Sequence, residues 1–339
     1  MIATALIALT TMTAQYTVST AEPEVGLTVV KLRDDAHKVE VSVTPTVGNM
    51  AYSMTVNGTE VFWSPYKTAS ELRAKPTLVG NPFLAPWANR IDGMSYWAGG
   101  QQYVLNPHLG NLRPDQNRNP IHGLVVFSDR WKVAYLHADQ DGAVLRSRLD
   151  VWRYADWMAQ FPFAHSIEMT YRLQNGVLSV ETEIENLGSQ AMPVAIGYHP
   201  YYQIPGGRDA WTIHIPAKEH VELNASLIPN GQRTPVASMD MALKGAKQDD
   251  VYTSLVRNAE GQAEFSVTNG KQKLAFLFGP KFPVGVVYAP PGRDFVCFEP
   301  MAGITDAFNQ HHKGQYAELQ TVAAGAKWRE VWSIKPSGF

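Results

Sequence analysis

Cysteine is almost absent from this chain. The single one, Cys297, excludes an intramolecular disulfide framework and any cysteine-rich zinc site, and leaves the compartment unmarked. Charge is sparse too, at 18% of residues, and 29 Lys and Arg nearly balance 31 Asp and Glu for a formal charge of -2. Such a balance carries no electrostatic footprint for a phosphate backbone or an anionic membrane. The expected partner is therefore a small neutral molecule, with no nucleic acid and no membrane. Long hydrophobic runs are missing, so no segment offers the uncharged apolar stretch that a spanning helix requires. Amphipathic helical periodicity is scarce, and there is no internal repeat or low-complexity linker to mark a second domain.

What is present is a large apolar complement. Hydrophobic residues make up 45% of 339 and aromatic residues 11%, enough for a sizeable core. The length would hold two average domains, but all-β sandwiches often run past that as one unit. The expectation is one large domain over 25–339. Residues 1–14, MIATALIALTTMTA, are small and apolar with Gln15 behind them, the pattern of a secretory signal, although no Lys or Arg precedes the run. Export, with a mature chain starting near Gln15, is the expectation that follows.

The period along the rest of the chain is that of strands. In HSIEMTYRLQ-NG-VLSVETEIEN, Ile167, Met169, Tyr171 and Leu173 alternate with polar residues, Asn175-Gly176 supplies two positive-φ turn positions, and Leu178, Val180, Thr182 and Ile184 alternate back. This predicts a β-hairpin. Further alternating runs lie at Val39 to Val43, Trp211 to Ile215, Phe265 to Val267, Leu274 to Phe278 and Trp328 to Ile334. Many short strands punctuated by 26 Gly and 22 Pro, without strand–helix alternation, point to a large antiparallel β-sandwich, all-β in class.

Four segments depart from this pattern. NPFLAPWANRIDG offers Asn89 and Arg90 from a proline-broken loop beside Trp87; NPIHGLVVFSDRW holds His122 before a glycine; AIGYHPYY sets His199 between Tyr198 and Pro200; FVCFEPMAGITDAFN places Glu299 after a nearly apolar run. Binding groups concentrate on loops held by a rigid scaffold, and a carboxylate in apolar company is either paired or raised in pKa. Each feature also has an ordinary structural explanation. A histidine in an apolar context is more often a hydrogen-bonded core residue, Arg90 could bridge on the surface to Asp92, and the aromatics could all be core. Two histidines and a glutamate from separate segments nonetheless supply an acid, a base and a polar anchor without a metal motif.

In order along the chain, ANRI (Asn89, Arg90), IHGL (His122), GYHPYY (His199), QDDVY (Asp249) and CFEPMAGITDAFN (Glu299) resemble the signature segments of the aldose 1-epimerases, or galactose mutarotases. The resemblance covers most of the chain after about residue 30. It implies the galactose mutarotase-like supersandwich, a sugar cleft on one concave sheet face, no cofactor, no metal, and a small-molecule aldose as partner. It leaves monomer and homodimer open. By the same resemblance Glu299 is the base that takes the proton of the C1 hydroxyl, His199 the acid that protonates the ring oxygen, and His122 a second histidine near that oxygen. Asn89 and Arg90 are donors to sugar hydroxyls and Asp249 an acceptor, with Asp250 as the rival if the register shifts by one. An ionised Glu and a protonated His are expected to coexist near neutral pH.

One departure stands out. Where galactose mutarotases commonly carry a Gln before the Tyr of the segment GVVYA, this chain has Val286, which puts galactose preference in question more than catalysis. Rival readings remain. The hexose-6-phosphate branch would need extra cations, for which Arg113 and Arg118 are candidates. A glycan-cleaving relative would pair Glu299 with Asp249 or Asp306. A non-catalytic carbohydrate module would keep Trp87, Tyr198 and Arg90. A zinc hydrolase is disfavoured because HExxH is absent and adjacent His311-His312 present their rings poorly to one ion.

Overall fold

The computed structural model describes residues 15–339; the signal-like stretch 1–14 lies outside them. Strands hold 50% of the residues and helices 8%, and the named strands pair antiparallel. The nine-stranded outer sheet runs Asp240–Ala242, Thr212–His214, Ala263–Thr268, Lys273–Phe278, Lys327–Ser337, Val177–Asn186, His165–Gln174, Gly142–Asp150, Lys132–Asp139. The eight-stranded sheet, which carries the site, includes Ala217–Leu223, Gln248–Leu255, Val284–Ala289, Val296–Met301 and Gly197–Tyr198 in that order, with Tyr201–Tyr202 also pairing Val296–Met301. A five-stranded meander from Tyr16–Glu24 to Thr59–Glu60 completes the fold.

The predicted hairpin forms as expected. His165–Gln174 and Val177–Asn186 pair from His165 opposite Asn186 to Gln174 opposite Val177, and both turn residues have positive φ. The runs at Val39, Phe265, Leu274 and Trp328 all become strands, and the run at Trp211 becomes the shorter Thr212–His214.

The two large sheets meet through aromatics. Tyr202 stacks on Phe276 at 4.0 Å between centroids, Phe298 lies 5.1 Å from Phe276 and 5.9 Å from Phe265, and Tyr198 lies 5.2 Å from Trp332. All six are buried, each contributing about 2 kcal/mol or more by removal from water. The tightness is visible at Gly285, where a Cβ would stand 2.3 Å from the Phe265 ring. Two buried hydroxyls find partners: Tyr198 bonds Thr182 of the outer sheet, and Tyr171 donates to the Asn49 carbonyl at 2.8 Å.

Candidate active site

A period of two decides which side chains leave the core. Along Val296–Met301, Phe298 packs inward, so Cys297 and Glu299 face the other way. In the next segment Tyr198 and Tyr202 enter the sandwich, so His199 and Tyr201 face the same way as Glu299. The ladder aligns them. Asp249 opposes Tyr288, Tyr288 opposes Cys297, and Cys297 opposes Tyr201, forming one row across four strands. In the next row Val251 opposes Val286 and Val286 opposes Glu299. His199 falls beside Glu299, bracketed by the pairs Gly197–Met301 and Tyr201–Cys297.

Loops close the other side. Asn89 and His122 both sit in the left-handed region, at φ 56 and 63, and the His122 amide donates to the Asn89 carbonyl at 2.8 Å. Non-glycine residues hold that conformation only where surroundings over-determine it. Here Gly123 lets the loop press on Ala85, whose carbonyl oxygen would lie 2.1 Å from a Cβ at that position. The Asp306 amide donates to the Arg90 carbonyl at 2.9 Å, bracing the same loop from the other end.

The cavity so formed measures about 270 Å³ and is lined by all six residues predicted from sequence, Asn89, Arg90, His122, His199, Asp249 and Glu299. His199 Nε2 lies 3.4 Å from Glu299 Oε1, and the His122 ring stands at 85° to the His199 ring with centroids 5.3 Å apart. His199 stacks on Tyr201 at 4.8 Å, nearly parallel. Glu299 is 2% exposed and His199 7%.

Burial sets the electrostatics. It pushes the Glu299 carboxyl well above its usual range, helped by the Asp249 charge and opposed by Arg90. Burial likewise pulls His199 down to about 3 and His122 well below its ordinary value. In the cavity the neutral forms are thus favoured, contrary to the expected ionised pair. A carboxylic acid beside neutral imidazole and a carboxylate beside imidazolium hold the same single proton, so the pair is charged for proton transfer in either form.

Arg90 does not bridge to Asp92. Its Nε donates to Asp115 Oδ2 at 2.7 Å and its Nη1 to Asn89 Oδ1 at 2.8 Å, while Asp92 lies 3.6 Å from Lys313. Asp115, which sequence reading missed, also accepts the amides of Asn117 and Asn119 at 2.8 and 2.9 Å. Burial opposes its ionisation, but Arg90 and those amides together hold the carboxyl below its usual value. Its only sequence signal was a turn-forming Asp ahead of Asn and Pro.

The other candidates separate cleanly. Asp250 points to the opposite face and bonds His220 at 2.9 Å, so Asp249 is the cavity residue. Asp306 is taken up by the Asp92 amide, Asn309 and Gln310. Trp87 and Tyr198 are core, and Arg113 stacks on Phe127 at 4.8 Å; neither Arg113 nor Arg118 lines the cavity. His312 stacks on Trp97 and His311 bonds the Tyr316 carbonyl. Tyr201, Tyr288, Gln116 and the aliphatics Leu78, Ile121, Leu227 and Val286 complete the lining.

A two-sheet antiparallel sandwich with a carboxyl–imidazole pair in a cavity on one sheet defines the class. The sequence model of the family described as aldose 1-epimerase matches residues 28–335, and the chain belongs to that family. Among curated proteins it is 31% identical over 232 residues to the uncharacterised YihR of Escherichia coli K12, covering 67% of this chain and 70% of that protein. Among solved structures it resembles a galactose mutarotase-like protein from Clostridium acetobutylicum, with a TM-score of 0.85, 18% identity and coverage of 96% and 99% of the two chains. It also resembles a galactose 1-epimerase from Lactobacillus acidophilus, with a TM-score of 0.75, 15% identity and coverage of 96% and 99%. At these identities the structural likeness speaks for the fold.

Proposed function

We propose that this protein is a mutarotase that interconverts the α and β anomers of an unphosphorylated aldohexose by opening and reclosing the ring. The observation that carries the reading is the 3.4 Å approach of His199 Nε2 to Glu299 Oε1 in a cavity sized for one sugar ring. Ring opening breaks the bond from C1 to the ring oxygen. The C1 hydroxyl loses a proton as the ring oxygen gains one, and both oxygens are bonded to the same carbon. An acid and a base that act on one carbon must themselves be close.

Glu299 is the base and His199 the acid, in the ionised form of their shared-proton pair. Arg90 and the sugar hydroxyls favour the Glu299 carboxylate when substrate fills the cavity, because Arg90 already lowers that carboxyl's affinity for protons. Closing the ring from the other face reverses both transfers and returns the proton. His122 steadies the ring oxygen, Asn89 and Arg90 donate to hydroxyls, and Asp249 accepts from one. The ionisable group touching Glu299 is an imidazole rather than a second carboxylate, which favours proton relay at one centre over glycoside cleavage. Following the optical rotation of freshly dissolved α-D-glucose and α-D-galactose tests the reading: an accelerated drift that is lost in Glu299→Gln supports it, and a drift unchanged by added protein removes it.

A further inference from the structure

One ionisable group at this site has no part in that chemistry. Cys297 is fully buried, packed among Tyr201, Phe295 and Tyr288 beneath the cavity floor. One ligand atom from each of His199, Cys297 and Glu299 lies within 4.8 Å of the other two. We propose that these three residues form a binding site for a thiophilic divalent cation of the zinc type, and that its occupancy shuts off the acid–base pair.

The donor set is nitrogen, sulfur and oxygen, the set zinc prefers, with three protein ligands and a fourth position left open. A tetrahedral ion bound at about 2.0 Å to nitrogen and oxygen and about 2.3 Å to sulfur spaces its ligands roughly 3.3–3.6 Å apart. The imidazole and carboxylate already meet that spacing at 3.4 Å. The Cys297 sulfur lies within 4.8 Å of a ligand atom of each of the other two, so binding draws its side chain inward. Glu299 Oε2 is buried without a hydrogen-bond partner among the described residues, and such an atom gains most from a new one. A single carboxylate with a thiol excludes magnesium and calcium, which demand more oxygen ligands.

The charge balance allows a dication. Arg90 is answered by Asp115 at 2.7 Å; the ion and the nearby Arg113 cation are offset by the Cys297 thiolate and the Glu299 and Asp249 carboxylates. Burial, with Glu299 and Asp249 nearby, holds the Cys297 thiol protonated in the metal-free protein. Coordination therefore releases that proton to solvent, and the Glu299 proton where it is held, leaving thiolate and carboxylate on the ion. No electron is transferred. The open fourth position faces the cavity, so the ion and the sugar compete for one space.

The binding claim stands apart from the mutarotase reading, and the test separates them. Cobalt(II) titrated into the chelator-treated full-length protein should produce a sulfur-to-metal charge-transfer band and intense tetrahedral d–d bands, saturating at one ion per chain and displaced by zinc. Both Glu299→Gln and Cys297→Ser should weaken cobalt binding about tenfold or more, a size typical of disturbing a metal's surroundings, and the serine variant should lose the charge-transfer band. Zinc should also slow mutarotation competitively with the aldose, and about tenfold less potently in Cys297→Ser. A protein without mutarotase activity that still gives the band overturns only the reaction. Absence of the band from folded protein, or a band unaffected by both Glu299→Gln and His199→Gln, overturns the site.

Discussion

The two large sheets are built alike and used oppositely. In the outer sheet Val177–Asn186 alternates half-buried and buried residues along its whole length. Its outward glutamates, Glu181 and Glu183, meet Arg329 and Lys327 of the neighbouring strand in water. In the site sheet Val296–Met301 is buried at every position, because loops from 80–93 and 113–123 roof the face that would otherwise be wet. The same residue type thus has two lives. Glu183 on the open face forms a solvent-screened pair, whereas Glu299 under the roof is desolvated and its carboxyl raised. The raised carboxyl comes from covering one face of an ordinary antiparallel sheet.

Replacing the covered carboxyl breaks this contrast most sharply. Glu299→Gln removes the proton acceptor at nearly constant shape and should lower kcat by two to four orders of magnitude, as loss of a general base does. Its thermal stability should be unchanged or higher, since a desolvated ionisable group is gone. A polarimetric rate near wild type would assign the base elsewhere.

The next effect tests burial within the outer sheet itself. His165 opens one of its strands, 2% exposed, with Nδ1 2.6 Å from the Phe163 carbonyl and the Phe161 ring beside it. Burial holds it down to about 4 in the folded protein, against about 6.5 unfolded. The unfolded chain therefore binds a proton first as pH falls. Stability from this group is complete above pH ~6.5 and is lost as pH drops toward ~4, by about 3 kcal/mol in all. Urea unfolding at several pH values should show the loss, and His165→Asn should flatten that part of the curve.

Smaller again is the expected cost of unseating Arg90. Asp115→Asn keeps an oxygen for the amides of Asn117 and Asn119 but loses the charge that holds the guanidinium. It should raise KM roughly tenfold with little change in kcat, in keeping with one charged hydrogen bond. Arg90→Ala should do the same. A fall in kcat at constant KM would move both residues from positioning substrate to the chemical step. The smallest effect belongs to the open face: Lys327→Ala breaks only an exposed pair and should change neither melting temperature nor activity measurably.

Much of this protein was readable along the chain because period-two alternation and Asn-Gly turns are local properties. The hairpin from His165 to Asn186 follows from side-chain order alone, since a one-residue slip would turn its apolar set to water. The segment signatures likewise named the six cavity residues. What they could not supply was contact across distance. That Arg90 leans on Asp115 rather than Asp92, that Asp249 and not Asp250 faces the cavity, and that Cys297 lies near Glu299 and His199 all depend on strand register and loop closure between segments tens to hundreds of residues apart. The protonation of Glu299 and His199 depends on the same closure. Sequence determined which residues alternate and which chemistry they offer. Tertiary structure alone decided how much water each retains, and water decides where the shared proton sits.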